Sequence, residues 1–131
     1  MTFVDTAAWF ALYVRDDPLH GQACSWIANH PTLLFTTDYV VDETLTLMRA
    51  RGQRLLALDF GRDIFSQRAA KRHSVTDREI DAAWEVFHTF TDKDWSFTDC
   101  TSKVVIEQFG IETASTFDHH FRQFGTVVVV P

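Results

Sequence analysis

Short apolar or β-branched runs alternate along the whole chain with longer stretches of helical periodicity, and that alternation admits few folds: it is the pattern of a parallel sheet whose crossovers are helices. Strands are expected at Thr2 to Asp5, Leu33 to Thr36, His73 to Val75, Glu112 to Thr116 and Thr126 to Val130. The periodicity between them predicts helices over Thr6 to Val14, Leu19 to Asn29, Asp38 to Arg51, Gln53 to Arg68, Thr76 to Phe90 and Thr98 to Phe109, with a short one after Asp118. Thr6 to Val14 is apolar all round and should be packed on several sides. Gly52 and Gly110 supply helix stops, and Thr76 with Glu79 has capping-box spacing ahead of a stripe made by Ile80, Ala83, Trp84 and Phe87. The expected class is α/β, one domain over residues 1–131, with a parallel sheet of about five strands between helices.

Composition removes several function classes. At 46% hydrophobic residues with twelve Phe and four Trp, the chain can build a core, and disorder is excluded. Cys24 and Cys100 lie in helical patterns, lack the spacing of a disulfide framework, and read as small buried apolar residues. No basic segment followed by a long apolar stretch opens the chain and no run is long enough for a bilayer, so a cytosolic protein without a membrane role is expected. A net charge of −6 argues against gripping nucleic acid by a broad basic surface. Two basic groups nevertheless stand out, Arg49, Arg51 and Arg54, and Arg68, Lys71, Arg72 and His73, which together could contact a phosphate backbone.

The candidate chemistry lies in four acids. Asp5 ends one strand and Asp118 follows another, and in open α/β sheets ligands bind beyond the carboxyl ends of strands. At 100° per residue Glu43 borders the apolar arc of its helix, beside Val40 and Leu47, whereas Asp42 falls with Thr46 and Arg49 on the polar side. Asp99 opens the helix after Ser96-Phe97-Thr98, a place where carboxylates commonly serve as caps. Each acid alone has such a bland explanation. A doubly wound fold would bring all four to one side of the sheet, where their mutual repulsion calls for a cation. Oxygen ligands without paired Cys or His suit Mg²⁺ or Mn²⁺, and such an ion can promote attack of water on a phosphodiester. Setting those four carboxylates aside reduces the formal charge from −6 to −2.

Phe3-Val4-Asp5-Thr6, Asp42-Glu43-Thr44-Leu45, Ser96-Phe97-Thr98-Asp99-Cys100 and Thr116-Phe117-Asp118-His119-His120-Phe121 resemble, in order and spacing, the four acidic motifs of the PIN domain. The resemblance spans the chain and is closest to VapC-type toxins of toxin–antitoxin pairs. It implies a PIN-like fold, Mg²⁺- or Mn²⁺-dependent endoribonuclease activity on RNA, a homodimer and an inhibitory antitoxin. It also implies that Asp5, Glu43 and Asp99 are the principal metal-site and catalytic acids, that Asp118 completes the quartet, and that Thr6 and Ser96 are polar helpers. Ala7 and Ala8 depart from the hydroxyl or amide residues often found after the first Asp, which leaves the support of that acid open.

His119 and His120 adjoin Asp118, but adjacent helical residues point in different directions, so surface or packing roles are expected for them. Trp9 and Trp84 fall in apolar stripes and read as core, while Trp95, beside the Asp99 motif, is the better candidate for stacking on a base. Rival readings are a non-toxin PIN nuclease of RNA processing, a phosphoester hydrolase or transferase using Asp5 as nucleophile, and a non-catalytic binding module on the same fold. The phosphotransferase reading lacks the second acid that such sites often carry two residues on, where Ala7 stands.

Overall fold

A computed structural model describes residues 1–131. Five parallel strands, β1 (Thr2–Val4), β2 (Leu34–Thr37), β3 (Lys71–His73), β4 (Thr113–Ser115) and β5 (Val128–Val130), lie in the order β3-β2-β1-β4-β5. They are joined by α1 (Thr6–Tyr13), α2 (His20–Asn29), α3 (Asp38–Ala50), α4 (Arg54–Phe65), α5 (Asp77–Thr89) and α6 (Phe97–Gln108), with a 3-10 turn over His119–Phe124 before β5. The chain moves outward from β1 through β2 to β3 and then crosses to β4 on the other side of β1. The strand order therefore reverses between β1 and β4, which is where such sheets open a crevice at their carboxyl ends.

Local chemistry sets the element ends. Thr37, Thr76 and Ser96 cap α3, α5 and α6, each hydroxyl accepting a backbone N–H of the first turn. Gly52 (φ 73°) and Gly110 (φ 62°) take the left-handed conformation just past α3 and α6, which glycine adopts without strain. Phe3 on the central strand packs between Phe35 and Phe121 at ring distances of 6.4 and 6.1 Å. On the α1 side Trp9 lies against Phe60 at 5.4 Å and donates its indole N–H to Thr36 at 3.3 Å. Emptying a fully buried position such as Phe3 or Phe35 to alanine costs about 3–5 kcal/mol. The apolar α1 is buried at Thr6, Ala8, Trp9, Phe10 and Ala11, on several sides at once.

Four sequence expectations need correction. The third strand lies at Lys71–His73 rather than His73 to Val75, because it pairs only with β2 and an edge strand tolerates charged side chains. Trp84 and Phe87 are 54% and 43% exposed, so the inner side of α5 is formed by Glu79 and Ala83. Trp95 is buried, its N–H donating to Gln123 Oε1 at 2.8 Å, and is not free to stack on a base. Cys24 is only half-buried, whereas Cys100 is fully enclosed. No helix is long and apolar enough to cross a membrane.

Candidate active site

Asp5 and Asp118 reach the crevice from strands on either side of the strand-order reversal. Asp5 follows β1, its N–H donating to the Ser115 carbonyl at 3.1 Å and its carbonyl starting α1, so its side chain leaves the sheet at the carboxyl edge. That carboxylate is 3% exposed; Oδ2 accepts the Thr116 hydroxyl at 3.1 Å, and Oδ1 is shielded from solvent with no hydrogen-bond partner. Thr116 Oγ1 in turn accepts the backbone N–H of Asp118 at 3.0 Å, so one hydroxyl ties the two strand-end acids together.

Two helices supply the other acids. Glu43, in the second turn of α3, is half-buried while Asp42 is exposed, as the helical arc requires. Asp99 is the third residue of α6 and forms a reciprocal capping box: the Ser96 N–H donates to its Oδ2 at 3.0 Å, and its own N–H donates to Ser96 Oγ at 3.0 Å. On α1, Thr6 accepts a hydroxyl bond from Thr44 at 3.3 Å, beside Glu43 in the sequence of α3.

Burial and neighbouring acid charges raise three of these carboxyls. Burial, reinforced by the charges of Asp99 and Glu43, pushes the Asp5 carboxyl from 3.8 up to about 7, against the opposing pull of the nearby Thr6 backbone N–H and the hydrogen bond from the Thr116 hydroxyl. Burial raises Glu43 as well, with Asp99, Asp118 and Asp42 adding to it and Thr6 opposing. Burial and the Asp118 charge raise Asp99, against its hydrogen bonds to Ser96. Repulsion inside a dry cluster, together with a buried carboxylate oxygen lacking a donor, is what a divalent cation would relieve, and the four acids offer it the oxygen ligands that a hard ion prefers.

Thr116 is the site residue that the sequence pattern leaves unmarked. It stands in the fourth motif, two residues before Asp118, and fills the supporting role that Ala7 and Ala8 leave vacant. His119 is exposed and His120 is half-buried. Because Asp118 caps a 3-10 turn, both imidazoles turn back on it: ligand atoms of Asp118, His119 and His120 lie within 4.8 Å of one another, and the two rings pack at 4.4 Å.

Arg49 and Arg54 line a pocket of about 290 Å³ with Leu45 and Leu58. Arg68 and Lys71 line a cleft of about 610 Å³ with Pro31 and Leu33 at the amino ends of β2 and β3, opposite the acids. Arg68 pairs with Asp63 at 3.2 Å, Arg72 lies over Phe65, and His73 is bound to Glu79 at 2.8 Å. Arg122, not singled out by the sequence pattern, lines a pocket of about 180 Å³ directly beside Asp118, together with Gln22, Phe117 and His119.

Known proteins share this fold. The PIN domain family model matches residues 2–127. The 23S rRNA-specific endonuclease VapC20 of Mycobacterium tuberculosis is 34% identical over 131 residues, covering 100% of this chain and 99% of the relative. Its crystal structure, described as a sarcin–ricin loop cleaving toxin, superposes with a TM-score of 0.92 at 32% identity over 100% of both chains. A VapC ribonuclease of Archaeoglobus fulgidus is 29% identical over 124 residues, 90% of this chain and 77% of that protein.

Proposed function

The chain belongs to the PIN-domain family, and from that membership we propose that it is an endoribonuclease, the toxin of a toxin–antitoxin pair, which hydrolyses RNA with a divalent cation held by Asp5, Glu43, Asp99 and Asp118. The carrying observation is the buried, partnerless Asp5 Oδ1 inside a group of carboxylates that raise one another's pKa. The same shielding disfavours Asp5 as a nucleophile, since an attacking oxygen must reach phosphorus in line.

When bound, Mg²⁺ or Mn²⁺ supplies Lewis-acid stabilisation of the charge that builds on a phosphodiester under attack by water. The protein's part is to hold its oxygens ready. Thr116 directs its hydroxyl proton at Asp5 Oδ2, which leaves Oδ1, without a donor, as the oxygen that would hold the cation. Ser96 fixes Asp99, and Thr116 fixes the backbone of Asp118, which limits the reorganisation needed on binding. Asp118, less buried than Asp5 or Asp99, is the acid that water can best replace.

The full-length likeness to VapC20 makes the sarcin–ricin loop of 23S rRNA the substrate to test. Arg122 beside Asp118 is placed for a flanking phosphate. A synthetic hairpin of that loop should be cut in the presence of Mg²⁺ or Mn²⁺ and left intact with EDTA or after Asp5→Ala, Glu43→Ala or Asp99→Ala, with Asp118→Ala milder. Cleavage surviving in all three core variants would sink the assignment.

Two protein contacts complete the reading. The exposed aromatic rings of Trp84 and Phe87 on α5, with Phe90 just past its end, support a homodimer. A small antitoxin is best served by an arginine on its tail, because a guanidinium can bridge two of the carboxylates and exclude the cation. Co-expression with any small protein encoded beside it, followed by size-exclusion chromatography and the hairpin assay, should give an inactive complex.

A further inference from the structure

His120 stands inside the carboxylate cluster without a part in the chemistry above. Its backbone N–H donates to Asp118 Oδ1 at 2.9 Å, which fixes the residue against the acid it follows. Its Nδ1 lies 3.2 Å from Asp118 Oδ1 and 3.3 Å from Asp99 Oδ2, is shielded from solvent, and forms a hydrogen bond with neither. Both oxygens already accept backbone N–H groups, from His120 and Ser96 respectively. A buried ring nitrogen close to two carboxylate oxygens, misaligned for a bond to either, wants a third body between them.

Ligand geometry says what that body is. Adjacent ligands of an octahedral ion with bonds of about 2.1 Å stand about 3.0 Å apart. The separations of 3.2 and 3.3 Å found here match such neighbours with slightly longer bonds. We propose that His120 is a nitrogen ligand of the cation on the Asp99–Asp118 side of the cluster, and that it biases the site toward a first-row transition ion such as Mn²⁺ over Mg²⁺. The proposal rests on the reading that these acids bind a cation. An all-oxygen set suits Mg²⁺, which dehydrates reluctantly and gains little from imidazole, whereas transition ions accept nitrogen readily. His119 has a largely exposed side chain and its Nδ1 stays 3.9 Å from Asp118, so it serves as the neighbouring control.

Calorimetric titration of the wild type, His120→Asn and His119→Asn with MnCl2 and with MgCl2 tests this, together with electron spin-echo spectra of the Mn²⁺-loaded proteins. His120→Asn should lose Mn²⁺ affinity by about tenfold or more while Mg²⁺ affinity moves less than about threefold, the range seen when a ligand's surroundings are altered. The nitrogen coupling to Mn²⁺ should be present in the wild type and His119→Asn and absent in His120→Asn; His120→Gln repeats the measurement if the Asn variant melts early. Tighter binding of both ions in His120→Asn would mean that the imidazole is a competing cation, and would overturn the proposal. So would persistent nitrogen coupling, or equal losses in the two histidine variants. Binding abolished by Asp99→Asn yet indifferent to His120 removes the proposal alone, whereas a wild type that binds neither ion removes the cation reading beneath it.

Discussion

Asp99 and Ser96 close the first turn of α6 on each other with two hydrogen bonds of 3.0 Å while Asp99 stands in the carboxylate cluster, so capping and site chemistry are one arrangement. The cap uses one lone pair of Oδ2 and leaves Oδ1 uncommitted. Substitutions can therefore separate the two contributions. Asp99→Asn keeps an acceptor for the Ser96 N–H and removes a repelling charge, so the cation-free protein should melt at the same temperature or higher, with a smaller response to Mg²⁺ or Mn²⁺. Asp99→Ala loses the cap as well and should cost about 1 kcal/mol relative to Asp99→Asn. Thermal melts with and without metal check both, and a strongly destabilised Asp99→Asn would reduce Asp99 to a structural cap.

Stability without metal should fall as pH rises through neutrality. Asp5 has a folded pKa of about 7 against 3.8 for the free carboxyl, so between those values the native state binds the extra proton. The stability associated with the neutral carboxyl is complete below 3.8 and is lost progressively as pH climbs to and through about 7, by an amount on the order of a few kcal/mol. Glu43 and Asp99, also raised, act in the same direction. Melting temperatures recorded from about pH 5 to pH 8 should decline in EDTA and hold level in excess Mg²⁺ or Mn²⁺, and Asp5→Asn should flatten the EDTA curve. A flat wild-type curve in EDTA would contradict the burial of this acid.

Thr116→Val tests the hydroxyl between Asp5 and Asp118. The variant keeps the shape of the side chain but leaves Asp5 Oδ2 without a donor and the Asp118 N–H without an acceptor. RNA cleavage should drop by about 10- to 100-fold, as when the orienting partners of metal ligands are lost. Thr116→Ser should restore most of it, and the Asp5-dependent decline in stability should move to higher pH in Thr116→Val, because an interaction that lowers its pKa is gone. Undiminished cleavage by Thr116→Val would show that the acids need no such tie.

Asp5 and Asp118 were legible because a strand-end acid at a change of strand order is visible as apolar run, then Asp, then helix. Glu43 was legible from its helix face, and Asp42 was set apart by the same arc. What stayed hidden depended on partners remote in sequence or on a change of local geometry. Thr116 meets Asp5 across 111 positions, and Trp95 is enclosed by Phe90, Phe124 and Gln123. The histidines were judged by α-helical directions, whereas their segment is a 3-10 turn capped by Asp118. Lys71, Arg72 and His73 read as a charge group because an edge strand needs no apolar alternation on its free side.

Trp84 leads to the last prediction. Its helical spacing with Phe87 predicts a buried stripe, but periodicity names a face and says nothing of what covers it. In the structure Trp84 touches the rings of Phe87 and His88 on its own helix, at 6.0 and 5.2 Å, and is 54% exposed. A large aromatic side chain can bury about 150–250 Å², and Trp84, Phe87 and Phe90 keep only about half of theirs exposed, so they supply the apolar centre of an interface whose standard size is roughly 800 Å² per partner. Light scattering should give the mass of two chains for the wild type and of one chain for Trp84→Glu. Because Trp84 holds no place in the core, the monomer's melting temperature should fall only by what the dimer contributed, becoming independent of protein concentration. No site acid lies on α5, so cleavage per chain should persist in the monomer. A wild type that is monomeric at high concentration, or a Trp84→Glu variant that still dimerises, would place the interface elsewhere or abolish it.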